Sequence, residues 1–172
     1  MSHAQSAIRV ASGKFVDLAN VRPSDIDLPS IAASLSKLCR FNGHCPKFYS
    51  VAEHSILAAK LALRDSHERP VCRAVFLHDA AEAYVGDVTR PLKNIIRSVY
   101  GPVEESASLA VSERFGVDFV ANSDLIRHYD DLALSLEQDV MWRDSSAVQF
   151  AFWLPPEAEL NFLLMANCLD VS

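Results

Sequence analysis

The chain has 172 residues, half of them hydrophobic, and a formal net charge of −6. This length supports a single domain over residues 1–172 with a substantial core and is too short for two ordinary domains. A nucleic-acid polymer would need a basic stripe, and the sequence has no cluster of Lys and Arg, so such a partner is disfavoured. A small anionic substrate stays compatible with the charge, because a metal ion and a few local cations can hold it.

The sequence contains no membrane or secretion signal that we recognise. No stretch approaches 18 consecutive apolar residues, so we expect no transmembrane helix and no membrane partner. Residues 1–13 are small and polar and lack the basic region and apolar core of a signal peptide. We therefore expect a loose N-terminal tail over residues 1–13 and a cytoplasmic protein.

The four cysteines match neither a CxxC pair nor a zinc knuckle: Cys39, Cys45, Cys72 and Cys168. A zinc cluster of Cys39, His44 and Cys45 is conceivable. We favour the interpretation that all four are reduced thiols, as is usual in the cytosol.

The composition favours helix, since Gly is scarce while Ala and Leu are abundant, and we predict an all-α bundle of six or seven helices. Residues 13–29 predict only a short extended piece or hairpin, because Pro23 and Pro29 interrupt them. Ser50 and Glu53 form a capping box at the start of the second helix. Apolar spacing and breakers predict helices over residues 31–43, 50–63, 70–85, 92–100, 102–116 and 122–142, and a last one after Pro156.

Residues 76–93, FLHDAAEAYVGDVTRPLK, hold the densest group of metal-ligating side chains. On a helix, His78 and Glu82 share one face because they are four residues apart. The adjacent His78 and Asp79 lie about 100° apart around the axis and can converge on one point. Imidazole nitrogen and carboxylate oxygen together suit a divalent transition metal.

Two other predicted helices offer further ligands. His54 lies in the second turn of the helix that begins at residue 50, and Asp130 and Asp131 lie early in the helix over 122–142. Asp130 shares a face with Leu134 and Glu137, whereas Asp131 points about 100° away, so the register favours Asp130. The predicted metal ligands are therefore His54, His78, Asp79 and Asp130.

The order His, His-Asp, Asp on three separate helices resembles the HD-domain superfamily of metal-dependent phosphohydrolases. The stretches RFNGHCPKFYSVAEHS and HDAAEAYVGDVTRPLK further resemble its compact branch, with bacterial 5'-deoxynucleotidases and phage-type dNTP (dATP) triphosphohydrolases. The resemblance implies an HD-type helical bundle that hydrolyses phosphate esters of small deoxynucleotides. Either a dNMP or a dNTP would be the substrate. Small members of the family are often homo-oligomers, but no stretch here indicates self-association.

The resemblance also implies two catalytic residues. Glu82 matches the general acid/base that works with the water activated by the metal. A Glu without a role would be costly to bury in the apolar run around it, which favours this function over a solvated carboxylate. Asp87 matches the position that orients the sugar or the ester oxygen, and its alternative is a turn residue after Gly86.

Four residues are candidates for substrate binding. Arg40 resembles the arginine that holds the phosphate, a task that suits the bidentate guanidinium. Phe41 either stacks on the nucleobase or joins the core. His44 lies in the same loop and is a candidate substrate contact. Lys93 either adds charge near the phosphate or is an exposed lysine.

Two other functions share this architecture. One is a non-catalytic nucleotide sensor, against which the complete ligand set and Glu82 argue. The other is a di-iron oxygenase, which needs further His ligands that the sequence does not place on the same faces. The ligand set does not select among Mn, Co, Zn, Fe and Ni.

Overall fold

The computed structural model describes residues 5–143 and 150–172, which form a mostly helical bundle with a small sheet. The helices are α1 (Leu28–Leu35), α2 (Val51–Arg64), α3 (Arg69–Leu77), α4 (Glu82–Val85), α5 (Arg90–Phe115), α6 (Ser123–Trp142) and α7 (Pro155–Cys168). Strands β1 (Ala7–Arg9) and β2 (Phe15–Asp17) pair antiparallel. The predicted mostly helical architecture is confirmed. None of the helices in the described ranges is both long and apolar enough to cross a bilayer.

Helix α2 is the centre of the bundle. It packs against α3, α6 and α7, and its buried side chains face several directions, as in Val51, Ile56, Ala59 and Leu61. A helix that is apolar on most of its surface is stable only when other helices surround it. The orientation of the buried side chains on α2, including His54, is therefore fixed by the core.

The predicted capping box at the start of α2 is confirmed. The Ser50 hydroxyl accepts a hydrogen bond from the Glu53 backbone N–H at 3.2 Å, and Glu53 Oε2 accepts one from the Ser50 backbone N–H at 2.9 Å. The second carboxylate oxygen, Glu53 Oε1, accepts from the backbone N–H of Trp153 at 2.9 Å. One buried carboxylate thus caps α2 and also binds the backbone of the segment that leads into α7.

The N-terminal region differs from the prediction in two respects. Residues 7–9 belong to β1 and not to a loose tail, and the hairpin spans residues 7–17 where the prediction placed it within 13–29. Val16 is fully buried opposite Ile8 in this pairing. Gly13 supplies the positive φ of +84° in the connecting turn. Residues 1–4 of the predicted tail lie outside the described residues.

The first helix ends earlier than predicted, at Leu35 and not near residue 43. The following residues are extended, because they pair with the segment before α2. Val51 donates its backbone N–H to the Leu38 carbonyl at 3.0 Å, and Arg40 donates its own to the Tyr49 carbonyl at 2.9 Å. Arg40 therefore begins a loop and does not end a helix.

The predicted helix over residues 70–85 is broken in two. Helix α3 ends at Leu77 and α4 begins at Glu82. Between them the backbone tightens into bonds from each N–H to the carbonyl three residues earlier, as from Ala80 to Leu77 at 2.9 Å and from Glu82 to Asp79 at 3.0 Å. His78 and Asp79 consequently lie on a tight turn at the end of α3.

The two helices predicted on either side of Pro102 are one helix, α5. Pro102 has no N–H for the carbonyl four residues earlier, on Ser98, but Ser98 is exposed, so water can serve that carbonyl. Lys93 and Glu104, on opposite sides of the proline, are joined by a 2.5 Å ion pair. This contact holds the two halves in one helical register.

Replacing Ser50 with Ala should lower the free energy of unfolding by about 1–2 kcal/mol, because the Glu53 N–H loses its buried acceptor. Chemical denaturation measures this change. Glu68→Ala is the control, since Glu68 is the N-cap residue of α3 and its side chain makes no capping bond. Equal losses in the two variants would contradict the role given to the capping box.

Candidate metal centre

The four predicted ligands come together at the bundle centre. His54 projects from the second turn of α2, His78 and Asp79 from the turn after α3, and Asp130 from α6. His54 Nε2 lies 3.4 Å from His78 Nε2, 3.5 Å from Asp79 Oδ2 and 3.2 Å from Asp130 Oδ1. Three separate elements thus bring the four predicted ligands together around the two imidazole rings.

The spacing of the donor atoms of His54, His78 and Asp79 suits a single transition-metal ion. His78 Nε2 lies 3.3 Å from Asp79 Oδ1 and 3.9 Å from Asp130 Oδ1. Ligands at about 2.1 Å from one ion are separated by about 3.0 Å in octahedral and about 3.4 Å in tetrahedral geometry. The observed separations of 3.2–3.9 Å are close to these values. His54, His78 and Asp79 form the tightest group, with Asp130 beside both rings.

Hydrogen bonds set the tautomer of both histidines. His54 Nδ1 lies 2.7 Å from Glu137 Oε1, and His78 Nδ1 lies 2.7 Å from the Val75 carbonyl oxygen. Because a carbonyl and an ionised carboxylate can only accept, each Nδ1 carries the hydrogen. In the neutral form that metal binding requires, the lone pair of each ring is then on Nε2, which faces the cluster.

The electrostatics of the cluster favour a positive charge at its centre. Burial and Arg40 lower the pKa of His54, but Glu137 and Asp130 outweigh them and raise it to about 9. Burial raises the pKa of Asp79 and of Asp130, yet the two histidines hold both below the usual range. A proton on His54 thus takes the position that a divalent ion would hold.

Glu137 was not predicted as a site residue, yet it contacts two residues of the site, His54 and Arg40. Its side chain is fully buried, and besides bonding to His54 it accepts from Arg40 Nε at 3.1 Å and from Arg40 Nη2 at 3.0 Å. Burial raises the pKa of Glu137, but His54 and Arg40 lower it further, so it is ionised. The signal in the sequence was its register, since Glu137 shares the inward face of α6 with Asp130.

Arg40 is held by this carboxylate beside the cluster. Its side chain is only 11% exposed, and Nη1 lies 3.9 Å from Asp79 Oδ2. Since Nε and Nη2 bind Glu137, Nη1 is the group of Arg40 nearest the donor cluster.

Glu82 and the half-buried Lys93 form a second hydrogen-bonded pair next to the predicted ligands. Glu82 is 6% exposed, Oε1 lies 3.2 Å from Lys93 Nζ, and Oε2 is buried without a hydrogen-bond partner among the described residues. Burial, with Asp79 and Asp87, raises the pKa of Glu82 well above its ordinary value. Lys93 also binds Glu104, so it is an ion-pairing residue and not an exposed lysine.

A cavity of about 560 Å³ lies against this cluster. It is lined by the candidate catalytic and substrate-binding residues, together with two of the ligands: Arg40, Phe41, His44, Glu82, Asp87, Lys93, Asp79 and Asp130. The structure therefore brings every predicted site residue either into the cluster or to the wall of one cavity. Burial raises the pKa of Asp87, against the effect of Arg40.

Phe41 lies at the rim of this cavity in a strained conformation. Its φ is +58°, a region that bulky side chains rarely adopt. Its ring meets Trp142 edge to face, with centroids 5.0 Å apart. Phe41 is thus half-buried against α6 and does not enter the main core.

Arg90 is a further cation at the site that the sequence analysis did not select. It pairs with Asp130 Oδ2 at 3.4 Å and with Asp131 Oδ1 at 3.2 Å. Asp130 therefore directs one oxygen to the imidazoles and the other to Arg90, while Asp131 is exposed and faces Arg90. Arg90 lies in the RPLK segment at the start of α5, where its position beside Asp130 depends on tertiary packing.

Asp130→Asn should weaken divalent-metal binding by more than about 100-fold. A residue that only orients a ligand typically changes metal affinity by about 10–100-fold, and loss of a residue that binds the ion directly should cost more. Titration calorimetry with Mn, Co or Zn measures the affinity. Asp131→Asn is the matched control, since Asp131 binds the same Arg90 but lies away from the rings. If the two variants bound metal equally weakly, Asp130 would not be a ligand.

Glu137→Gln should weaken metal binding by about 10–100-fold, because an amide has one acceptor oxygen for two donors, His54 and Arg40. The same titration tests this. Asp139→Asn, two residues further on, changes only a surface pair with Arg143 and should bind metal as the wild type does. Unchanged affinity in Glu137→Gln would show that His54 needs no orienting carboxylate.

Comparison with known proteins found no protein-family model that matches the chain. The uncharacterized protein YfdR of Escherichia coli K12 is 32% identical over 148 residues, which cover 86% of this chain and 77% of YfdR. The uncharacterized protein RCAP_rcc00048 of Rhodobacter capsulatus is 34% identical over 139 residues, covering 76% of this chain and 70% of that protein. With this identity over most of both sequences, the chain belongs to the same family as YfdR.

Proposed function

We propose that the chain is a metal-dependent phosphohydrolase of the HD type that hydrolyses phosphate esters of small deoxynucleotides. The observation that carries the proposal is the convergence of His54, His78, Asp79 and Asp130, with both Nε2 atoms facing inward. The order of these ligands along the chain is the order of the HD motif. Two imidazoles and two carboxylates leave a divalent ion nearly neutral and with room for further ligands.

A divalent transition ion at this centre would supply Lewis-acid activation of a phosphate ester and of the attacking water. Arg40 binds the phosphate. Because Glu137 occupies Nε and Nη2 of Arg40, Nη1 remains to bind a phosphate oxygen on the cavity side of Asp79.

Glu82 is the proton donor in the proposed reaction. Its raised pKa favours the protonated acid, and its buried Oε2 has no described partner, so Glu82 can donate to the departing ester oxygen. Lys93, bonded to Oε1, fixes the carboxyl group in place. Asp87, on the same cavity wall, positions the sugar hydroxyl or the ester oxygen.

The arrangement of the other histidines disfavours a di-iron oxygenase. His67 and His128 pack on the ring of Tyr129, with centroids 5.5 and 4.9 Å apart. His44 is exposed at the rim of the cavity. Among the described residues, then, the inward rings at the cluster are His54 and His78, which suit a single ion.

A product assay tests the proposal. Metal-stripped protein receives Mn, Co, Zn, Fe or Ni singly, with a panel of dNMPs and dNTPs, and chromatography resolves the products. Orthophosphate and nucleoside from a dNMP would identify a 5'-nucleotidase, and tripolyphosphate and nucleoside from a dNTP a triphosphohydrolase. Tight nucleotide binding without any product would contradict the proposal and favour a nucleotide sensor.

Glu82→Gln should retain metal affinity within about threefold while kcat falls by about 100-fold or more, because the variant has no acid to protonate the leaving oxygen. Steady-state kinetics on the substrate that the product assay identifies measure kcat, and titration calorimetry measures the metal affinity. Glu104→Gln is the matched control, since Glu104 also binds Lys93 but does not line the cavity that Arg40 and Asp87 line. Wild-type kcat in Glu82→Gln would remove the acid role.

A further inference from the structure

We propose that Cys39 and Cys45 form a redox-active dithiol, which a hydroperoxide oxidises to an intramolecular disulfide. The two Sγ atoms lie 3.6 Å apart, and both residues are half-buried. The five residues between them are the loop that carries Arg40, Phe41 and His44 to the cavity. This modification site stands on the geometry of the loop and does not depend on the proposed hydrolase activity.

The two sulfur atoms can reach bonding distance with small movements. A disulfide needs an S–S distance of about 2.05 Å, so the sulfurs must approach by about 1.5 Å, which side-chain rotation can supply. Cys39 is held by its backbone pairing with Ser50. On the other side, Gly43 and His44 donate their backbone N–H groups to the carbonyls of Arg40 and Phe41, which turns the chain back towards Cys39.

The backbone of the loop between the cysteines is strained. Phe41, Asn42 and Gly43 all have positive φ, at +58°, +51° and +75°. Two of them carry side chains, for which the left-handed region is unfavourable. Such a run reverses the chain within a few residues, and a bond between residues 39 and 45 would close a ring around it.

The hydrogen bonding indicates which thiol reacts first. The Cys45 thiol donates a hydrogen bond to the Arg40 carbonyl at 3.7 Å, and this bond favours the protonated thiol. Burial together with Cys39 also raises the pKa of Cys45. Cys39 is therefore the first nucleophile. Its thiolate attacks the peroxide O–O bond and becomes a sulfenic acid, with release of the alcohol or water. The Cys45 sulfur then attacks Cys39, water leaves, and the two thiols have lost two electrons and two protons to the peroxide.

The bond would change the wall of the cavity and not the ligand cluster. Oxidation removes the Cys45 hydrogen bond to the Arg40 carbonyl and restrains the backbone that carries Arg40, Phe41 and His44. None of the four predicted ligands lies in the ring. The consequence for substrate binding rests on the proposed function, whereas formation of the bond does not.

Peptide mapping of the full-length protein after treatment with hydrogen peroxide tests the proposal. Trypsin cleaves after Arg40, between the two cysteines, so peptides 38–40 and 41–47 stay joined only if the disulfide forms. We expect the joined pair, a mass loss of two hydrogens that dithiothreitol reverses, and a fall from four titratable thiols to two.

Two variants make the result specific. Cys168→Ser removes the exposed thiol on α7 and should still give the joined peptides, whereas Cys45→Ser should give sulfenic acid or its trapped adduct at Cys39 and no joined pair. Circular dichroism confirms that each variant is folded. Oxidation of folded wild type only at Cys168, or only between two chains, would overturn the proposal. Because the experiment detects the disulfide directly, its result does not depend on whether the protein hydrolyses a nucleotide.

Discussion

The hydrogen bond between His54 and Glu137 is the contact on which the arrangement of the site depends. Both side chains are fully buried, and their atoms lie 2.7 Å apart. This bond assigns the ring hydrogen of His54 to Nδ1 and so turns a lone pair towards His78, Asp79 and Asp130. A buried carboxylate without such partners would be expensive, and Arg40 supplies the remaining charge compensation. His54 and Arg40 are thus both positioned by one side chain on α6.

Carboxylates also position the other cations around the site. Arg40 is paired with Glu137, Lys93 with Glu82 and Glu104, and Arg90 with Asp130 and Asp131. An acidic protein can hold an anionic substrate in this way, because the positive charges are local and oriented by neighbouring carboxylates. Glu82 Oε2, in contrast to Oε1, is buried without a hydrogen-bond partner among the described residues.

Local signals allowed much of this to be predicted. The capping box at Ser50 placed His54 in the second turn of α2, and the helical period selected Asp130 over Asp131 as the inward carboxylate. The remaining differences come from tertiary contacts. Pairing of residues 38–40 with 49–51 ends α1 early, a tightened turn separates α3 from α4 at His78, and the Lys93–Glu104 pair helps hold α5 together across Pro102. The partners of Arg40 and Arg90 likewise lie on distant segments, so no local pattern indicates them.

The most direct test of the proposed metal centre is anomalous diffraction from crystals grown with Mn or Co, recorded on both sides of the metal absorption edge. The account predicts one strong peak about 2.1 Å from Nε2 of His54 and of His78, with Asp79 and Asp130 completing the coordination. Metal bound elsewhere, for example at Cys39, His44 and Cys45, with the two Nε2 atoms lacking an ion, would contradict it.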